Sequence, residues 1–356
     1  MSNVGGDEVT TRFHTMTLRV LVSGVIAATV SAAQSSTSRS PEYRCETCHP
    51  NESRSQPATA MAQAAARANE AQILKDHPMM RFTRSGYTYV INREAHGVTY
   101  SVSDGSKTFS APILWAFGFG SIGQTYLYTY RGDLYESKVS FYTPINGLDI
   151  TIGQGRSKPA SAEEAAGRLL LKPEMTRCFE CHTTESSNQT RAGVQCERCH
   201  KNAQVHARVS STRTSPSITP VKLSQLSKDG LSDFCGGCHR TLQEIVANRT
   251  FNINNVRSQP YRLATSKCYT ATQDKRISCV ACHDPHQDMV KSAGYYDGKC
   301  QVCHQSGATA SRVKACPVAE RNCVSCHMPK VDFPDGHSRF TDHRIRVVRP
   351  GAGFPG

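Results

Sequence analysis

Cys-x-x-Cys-His recurs seven times along 356 residues, and this repeat limits what the chain can fold into more than any other feature of it. The copies are Cys45/Cys48/His49, Cys178/Cys181/His182, Cys196/Cys199/His200, Cys235/Cys238/His239, Cys279/Cys282/His283, Cys300/Cys303/His304 and Cys323/Cys326/His327. In each copy the two thiols can form thioether bonds to the vinyl groups of one haem, while the next residue turns its imidazole under the porphyrin iron. A lone Cys-x-x-Cys also suits a zinc ribbon or a redox dithiol, but neither chemistry requires a histidine after the second cysteine in every copy. Fourteen of the 16 cysteines are consumed this way. The pattern predicts seven haem c groups, and the chain reads as a multihaem cytochrome c.

The amino terminus agrees. Arg12 and Arg19 lead into the apolar run Val20 to Val30 and then small residues through Ala33, the shape of a secretory signal cleaved after Val30-Ser31-Ala32 or Ser31-Ala32-Ala33. A retained anchor is the other reading, but the run falls short of the roughly 20 residues that a spanning helix needs. Periplasmic or cell-surface placement, with no spanning segment after cleavage, is the expectation. The formal charge of +13 ordinarily points to nucleic acid or anionic membrane. Seven haems bring propionate carboxylates that Lys and Arg would neutralise, so the basic balance reads as internal compensation and nucleic acid is not an expected partner.

From first cysteine to first cysteine the spacings are 133, 18, 39, 44, 21 and 23 residues. The short intervals leave too little chain for separate polypeptide cores, so those haems must lie near one another. The expected fold is mainly α and irregular, with a core organised by haem and a small antiparallel β-sheet insertion at about 84–152. Four segments follow: a signal at 1–33, the first motif and a helix at 34–83, a β-rich haem-free region at 84–155, and a six-haem region at 156–356. Alanine-rich Thr59 to Lys75 reads as a helix. Tyr87 to Ile91, Val98 to Val102, Ile113 to Phe119, Tyr126 to Tyr130 and Leu134 to Tyr142 read as strands, the last two joined by the three-residue loop Arg131-Gly132-Asp133. The sheet is either a docking surface or a scaffold packed on the first haem. Ser161 with Glu164 caps a helix over Ala165 to Leu171 that Pro173 ends, and Ser210 to Pro220 and the tail from Pro350 read as loops.

Cys196-Glu-Arg-Cys-His200 followed by His206, Cys279-Val-Ala-Cys-His-Asp-Pro-His286, Cys323-Val-Ser-Cys-His-Met-Pro-Lys330 and Phe340-Thr-Asp-His343 carry a resemblance. They resemble the multihaem cytochrome c family that groups the tetrahaem electron carrier of nitrifying bacteria with nitrite and hydroxylamine enzymes. That resemblance implies paired proximal and distal histidines, and either electron carriage or catalysis. All seven motifs here end in histidine, whereas the pentahaem nitrite reductases replace one with lysine.

Six-coordinate haem suits electron transfer, whereas catalysis at iron needs an open position. Of 14 histidines, seven are proximal and His14 lies in the signal, which leaves His77, His96, His206, His286, His337 and His343. His77, His206, His286, His337 and His343 are the candidate distal ligands, and His96, in a polar turn, is the weakest of the six. Six histidines cannot serve seven irons, so at least one haem has methionine opposite (Met61, Met79, Met80 and Met175 are available) or an open face. Cys268 and Cys316 lie outside the motifs, and a disulfide between them is the plain expectation in an oxidising compartment. The leading functional reading is an electron relay between redox partner proteins. The alternative is an oxidoreductase acting on a small nitrogen or sulfur compound at one open haem.

Overall fold

Alternating burial builds the largest element of the computed structural model, which describes residues 45–186, 189–212, 222–304, 316–349 and 351–355. Nine antiparallel strands form one sheet: β1 (Ala65–Arg67), β2 (Met79–Arg84), β3 (Tyr87–Glu94), β4 (Gly97–Ser103), β5 (Thr108–Phe117), β6 (Gly123–Tyr130), β7 (Asp133–Tyr142), β8 (Gly147–Ile150) and β9 (Gly167–Leu169). Strands β2 to β8 are neighbours in chain order, while β1 pairs with β5 and β9 with β7. The end strands β2 and β8 pack against each other, so the meander curls nearly closed. Every second residue points inward, as a period of two requires: Tyr89 and Ile91, Tyr100 and Val102, Phe109 and Ile113.

This sheet corrects the expected fold class. The main apolar core is not organised by haem and the chain is not mainly α. The sheet runs from 65 to 169 rather than over 84–152, and its interior is its own aromatic and β-branched side chains. Each such buried side chain contributes about 1.5–3 kcal/mol, so a cysteine-free stretch of this composition can hold itself together. The alanine-rich segment is likewise not a helix over Thr59 to Lys75. It supplies β1 and only one short helix, because Ala65, Ala68 and Ala71 are small enough to pack flush against the sheet. Arg131 and Gly132 form a two-residue turn between Tyr130 and Asp133, both at positive φ, rather than a three-residue loop.

A bulge between Ile113 and Trp115 shifts the alternation on β5 by one residue. Ala116 therefore continues the inner core, while Trp115 and Phe117 turn outward and start a second cluster with Ala65, Leu127 and Leu170. That cluster connects the sheet to the motif-bearing half.

The helices are short. Three accompany the sheet region: α1 (Pro50–Ser55), α2 (Gln72–Asp76) and α3 (Ala162–Ala166). Ser161 accepts the Glu164 N–H as the N-cap of α3, as expected, but the helix ends at Ala166. Pro173 opens the next helix instead of ending this one, since a missing N–H costs nothing in a first turn. The remainder are α4 (Lys172–His182), α5 (Cys196–Cys199), α6 (Ala203–Thr212), α7 (Lys228–His239), α8 (Leu242–Asn248), α9 (Gln259–Ala264), α10 (Lys267–Thr270), α11 (Cys279–Cys282), α12 (Ala293–His304) and α13 (Cys323–His327). Two hairpins intervene, β10 (Thr183–Ser186) with β11 (Gln189–Ala192) and β12 (Lys330–Phe333) with β13 (Ser338–Thr341). Helix α6 extends to Thr212, so the segment expected to be a loop from Ser210 begins helical, and its remainder lies outside the described residues, as does the export signal. No helix among the described residues is long and apolar enough to cross a membrane.

Candidate functional site

All seven Cys-x-x-Cys-His motifs lie on or directly after helical turns. Motif 1 begins on a tight turn (Cys45–Thr47), motifs 2, 4 and 6 end α4, α7 and α12, and motifs 3, 5 and 7 occupy α5, α11 and α13 with their following residue. The His49, His200 and His283 amides each donate to the carbonyl of the first motif cysteine at 2.8 Å. One such turn sets both sulfurs and the imidazole on the same side, since residues three and four apart share a helical face. Among the described residues no three His, Cys, Asp or Glu side chains converge on one point, as a zinc ribbon would require.

Three motif imidazoles face another imidazole. The ring centres of His200 and His286 are 6.0 Å apart and nearly parallel, those of His283 and His343 are 6.2 Å apart, and those of His49 and His206 are 6.5 Å apart. Two rings held by one metal through bonds of about 2 Å each would place their centres roughly 6 Å apart. The gap thus fits an iron with two axial imidazoles, and haem c fits the donor set. Hydrogen bonds at the other ring nitrogen fit too: Nδ1 of His182 bonds the Ala64 carbonyl oxygen at 2.9 Å, that of His327 the Arg346 oxygen at 3.0 Å and that of His343 the Thr341 oxygen at 3.0 Å. Such bonds leave Nε2 for metal. Burial lowers the pKa of His182, His200, His239 and His283, and brings His343 down to about 4, which keeps these imidazoles in the neutral, ligating form.

The motifs also approach one another. Cys45 lies close to Cys196 (motifs 1 and 3), Cys181 to Cys238 (2 and 4), Cys235 to Cys279 (4 and 5), and Cys300 to Cys323 (6 and 7). Cys199 lies near Cys238 and Cys282 near Cys300, so most motif cysteines look toward another motif. Helix α7 touches α4 and α11, and α12 touches α11 and α13. Motif 2 in addition carries the sheet. The Phe117 ring stacks on His182 at 5.1 Å with 2° between planes, and Phe179, inside the motif, packs edge-on against Trp115 and Phe117, with Cys178 in the same cluster. The sheet is therefore packed on the second motif, not the first.

The sequence pattern gives Cys48, Cys303 and Cys326 the same haem-binding role as their partners. Cys48 and Cys326 are exposed, and the Ser325 hydroxyl donates to Cys326 Sγ at 3.9 Å. Cys303 is half-buried beside Cys268 and Arg276, neither of which belongs to a motif. Each is the second cysteine of its motif, 1, 6 or 7. Their place in the site rests on the fixed spacing to Cys45, Cys300 and Cys323.

Other expected ligands are elsewhere. His337 directs Nε2 to Asp149 Oδ2 at 2.9 Å and meets Tyr142 edge-on, so its metal-binding nitrogen is engaged by a carboxylate of the sheet. His77 caps α2 and lies 4.9 Å from the Phe141 ring. Neither is brought to a motif imidazole. Met80 is in the sheet core, Met79 is exposed, and Met175 packs in the Trp115 cluster. Cys268 and Cys316 carry free thiols and are not joined, with Cys316 on an exposed segment. Sequence reading missed the buried pair Arg262–Asp342, although Asp342 stands directly before His343.

The motifs and their imidazole pairs define a multihaem c-type cytochrome. Residues 154–201, spanning motifs 2 and 3, match the family described as cytochrome c554 and c-prime. The chain is 29% identical over 156 residues to the multiheme cytochrome MtrA of Shewanella baltica (strain OS185), which covers 42% of this chain and 40% of that protein. It thus spans less than half the length of that curated relative. Among solved structures it is similar to the outer cell wall cytochrome OcwA, at 12% identity and a TM-score of 0.49, over 86% of this chain and 79% of that one.

Proposed function

We propose that the protein relays electrons through seven covalently attached haems, held by the fourteen motif cysteines and the seven motif histidines. The observation that carries this reading is the spacing of the three imidazole pairs, which suits six-coordinate irons that cycle between oxidation states without opening. His206, His286 and His343 are the distal ligands of the haems on motifs 1, 3 and 5. The contacts between motifs give the order: 1 beside 3, then 4, with 2 attached to 4, then 5, 6 and 7. His337 and His77 are not ligands in this reading. Export to the periplasm or cell surface follows from the amino-terminal pattern, and the partners are a donor and an acceptor protein. The haem groups supply the redox chemistry, and this chain's residues set ligand identity, burial and nearby charge, which tune the potentials.

The alternative, turnover of a small nitrogen or sulfur compound at one iron, draws on the shortfall of distal histidines. A redox titration followed by absorbance, with stopped-flow reoxidation by an outer-sphere oxidant, separates the two. A relay titrates in several steps over a wide span, and all its haems reoxidise within one fast process whether or not nitrite, hydroxylamine or sulfite is present. Turnover of one of those compounds, with slow reoxidation otherwise, would favour the alternative.

A further inference from the structure

Asp342 and Arg262 are both fully buried, and the carboxylate accepts from Arg262 Nε at 2.8 Å and Nη2 at 2.9 Å. Arg346 Nη1 and the Arg344 amide bond the same carboxylate. Arg262 is itself held from behind, by the Pro355 carbonyl oxygen at 2.7 Å and by the Phe354 ring 4.3 Å away. Beyond His343 a second tie comes from the same region of the fold. Ser266 Oγ accepts from the Ile345 amide at 2.8 Å and donates to the His343 carbonyl oxygen at 3.3 Å. His343 is thus bracketed on both sides by residues of α9 and the turn after it.

A buried ion pair is a poor device for stability, because apolar residues of the same volume would do as well or better. What a forked guanidinium adds is direction, since two parallel bonds fix both the position and the plane of the carboxylate. Here the fixed residue is the immediate neighbour of an imidazole that sits 6.2 Å from His283. The strap continues to motif 7, where the Arg346 amide donates to the His327 carbonyl oxygen and the Arg346 carbonyl oxygen meets His327 Nδ1.

We propose that the Arg262–Asp342 pair is a latch whose role is to hold His343 opposite His283, so that Arg262 and Asp342 are positioning residues for the distal ligand of the fifth haem. This rests on the reading of His343 as that ligand. The test uses the full haem-loaded protein and low-temperature electron paramagnetic resonance of its oxidised form, with H343A as reference. H343A is expected to convert one haem per chain from low to high spin. R262K keeps charge and stem but loses the fork, and D342N keeps shape but loses the charge. Both are expected to gain a high-spin signal approaching that of H343A at unchanged haem content, whereas R156K, on an exposed pair with Asp335, stays as wild type. If H343A leaves the spin count unchanged, the ligand reading fails. If H343A converts a haem while R262K and D342N retain the full low-spin signal, the latch is overturned and the ligand reading stands.

Discussion

Replacing Gly193 by alanine is expected to unseat the first motif. Gly193 follows β11 at φ +73°, and its amide donates to the His182 carbonyl oxygen at 3.1 Å. The adjoining Val194 receives the segment behind motif 1: its amide donates to the Met61 oxygen at 3.0 Å and its carbonyl accepts Gln56 Nε2 at 2.7 Å. A methyl group on Gly193 would overlap the backbone carbonyl of Ala62, which cannot swing aside as a side chain would. The left-handed conformation alone costs a non-glycine residue about 1 kcal/mol, and parting the two segments breaks two hydrogen bonds of about 1 kcal/mol each. The total is about 3 kcal/mol. Gly132→Ala is the control, because Gly132 also has positive φ (+89°) but open space around it, so it should lose only about 1 kcal/mol. Denaturant unfolding of both variants gives the energies, and the low-spin signal reports whether His49 still meets His206. A Gly193→Ala protein no less stable than Gly132→Ala, with all low-spin haems retained, would refute the packing described between motif 1 and the β11 turn.

The hydroxyl of Tyr126 is buried in the sheet with no hydrogen-bond partner among the described residues, whereas that of Tyr100 donates to the Ala166 carbonyl oxygen at 2.9 Å. Tyr126→Phe should therefore be neutral or stabilising by about 1 kcal/mol and Tyr100→Phe destabilising by about 1 kcal/mol; thermal unfolding checks the opposite signs. Burial raises Tyr89 and Tyr142 to about 12, above the unfolded value of 10.0. Their contribution to stability is thus complete below pH 10 and is lost as pH rises toward 12, so the sheet should unfold in that window together with tyrosinate absorbance. His206→Ala should convert one haem per chain to high spin, and a silent substitution would remove His206 from the ligand set. His337→Ala should leave the spin count unchanged and cost stability through the loss of its bond to Asp149, as unfolding would report.

The motif positions were legible as a pattern, because covalent attachment demands fixed residues at fixed spacing, and all seven lie on turns. Which motif cysteines look toward another motif was not legible, because all fourteen read identically. The strands β3 to β7 were legible from alternation, but β2, reading Met-Met-Arg-Phe-Thr-Arg, carries little of that signal and was missed. Propensity misled at Thr59 to Lys75, where alanines serve close packing against the sheet instead of a helix. The fold class failed for a related reason. Seven motifs drew attention to haem faces as a core, although a cysteine-free stretch with buried Tyr89, Tyr100, Tyr126 and Tyr128 already had one. Distal partners depend on contacts across the chain that spacing does not encode. His206, His286 and His343 reach motif imidazoles, while Asp149, 188 residues away in sequence, takes His337.

The most direct test of seven covalent haems is intact mass spectrometry of the purified, unfolded protein after exhaustive thiol alkylation without reductant. The account predicts a mass increased by seven haem groups and only two alkylated cysteines, which peptide mapping places at Cys268 and Cys316. Fewer than seven haem additions, or alkylation at any motif cysteine, Cys48, Cys303 and Cys326 included, would contradict it.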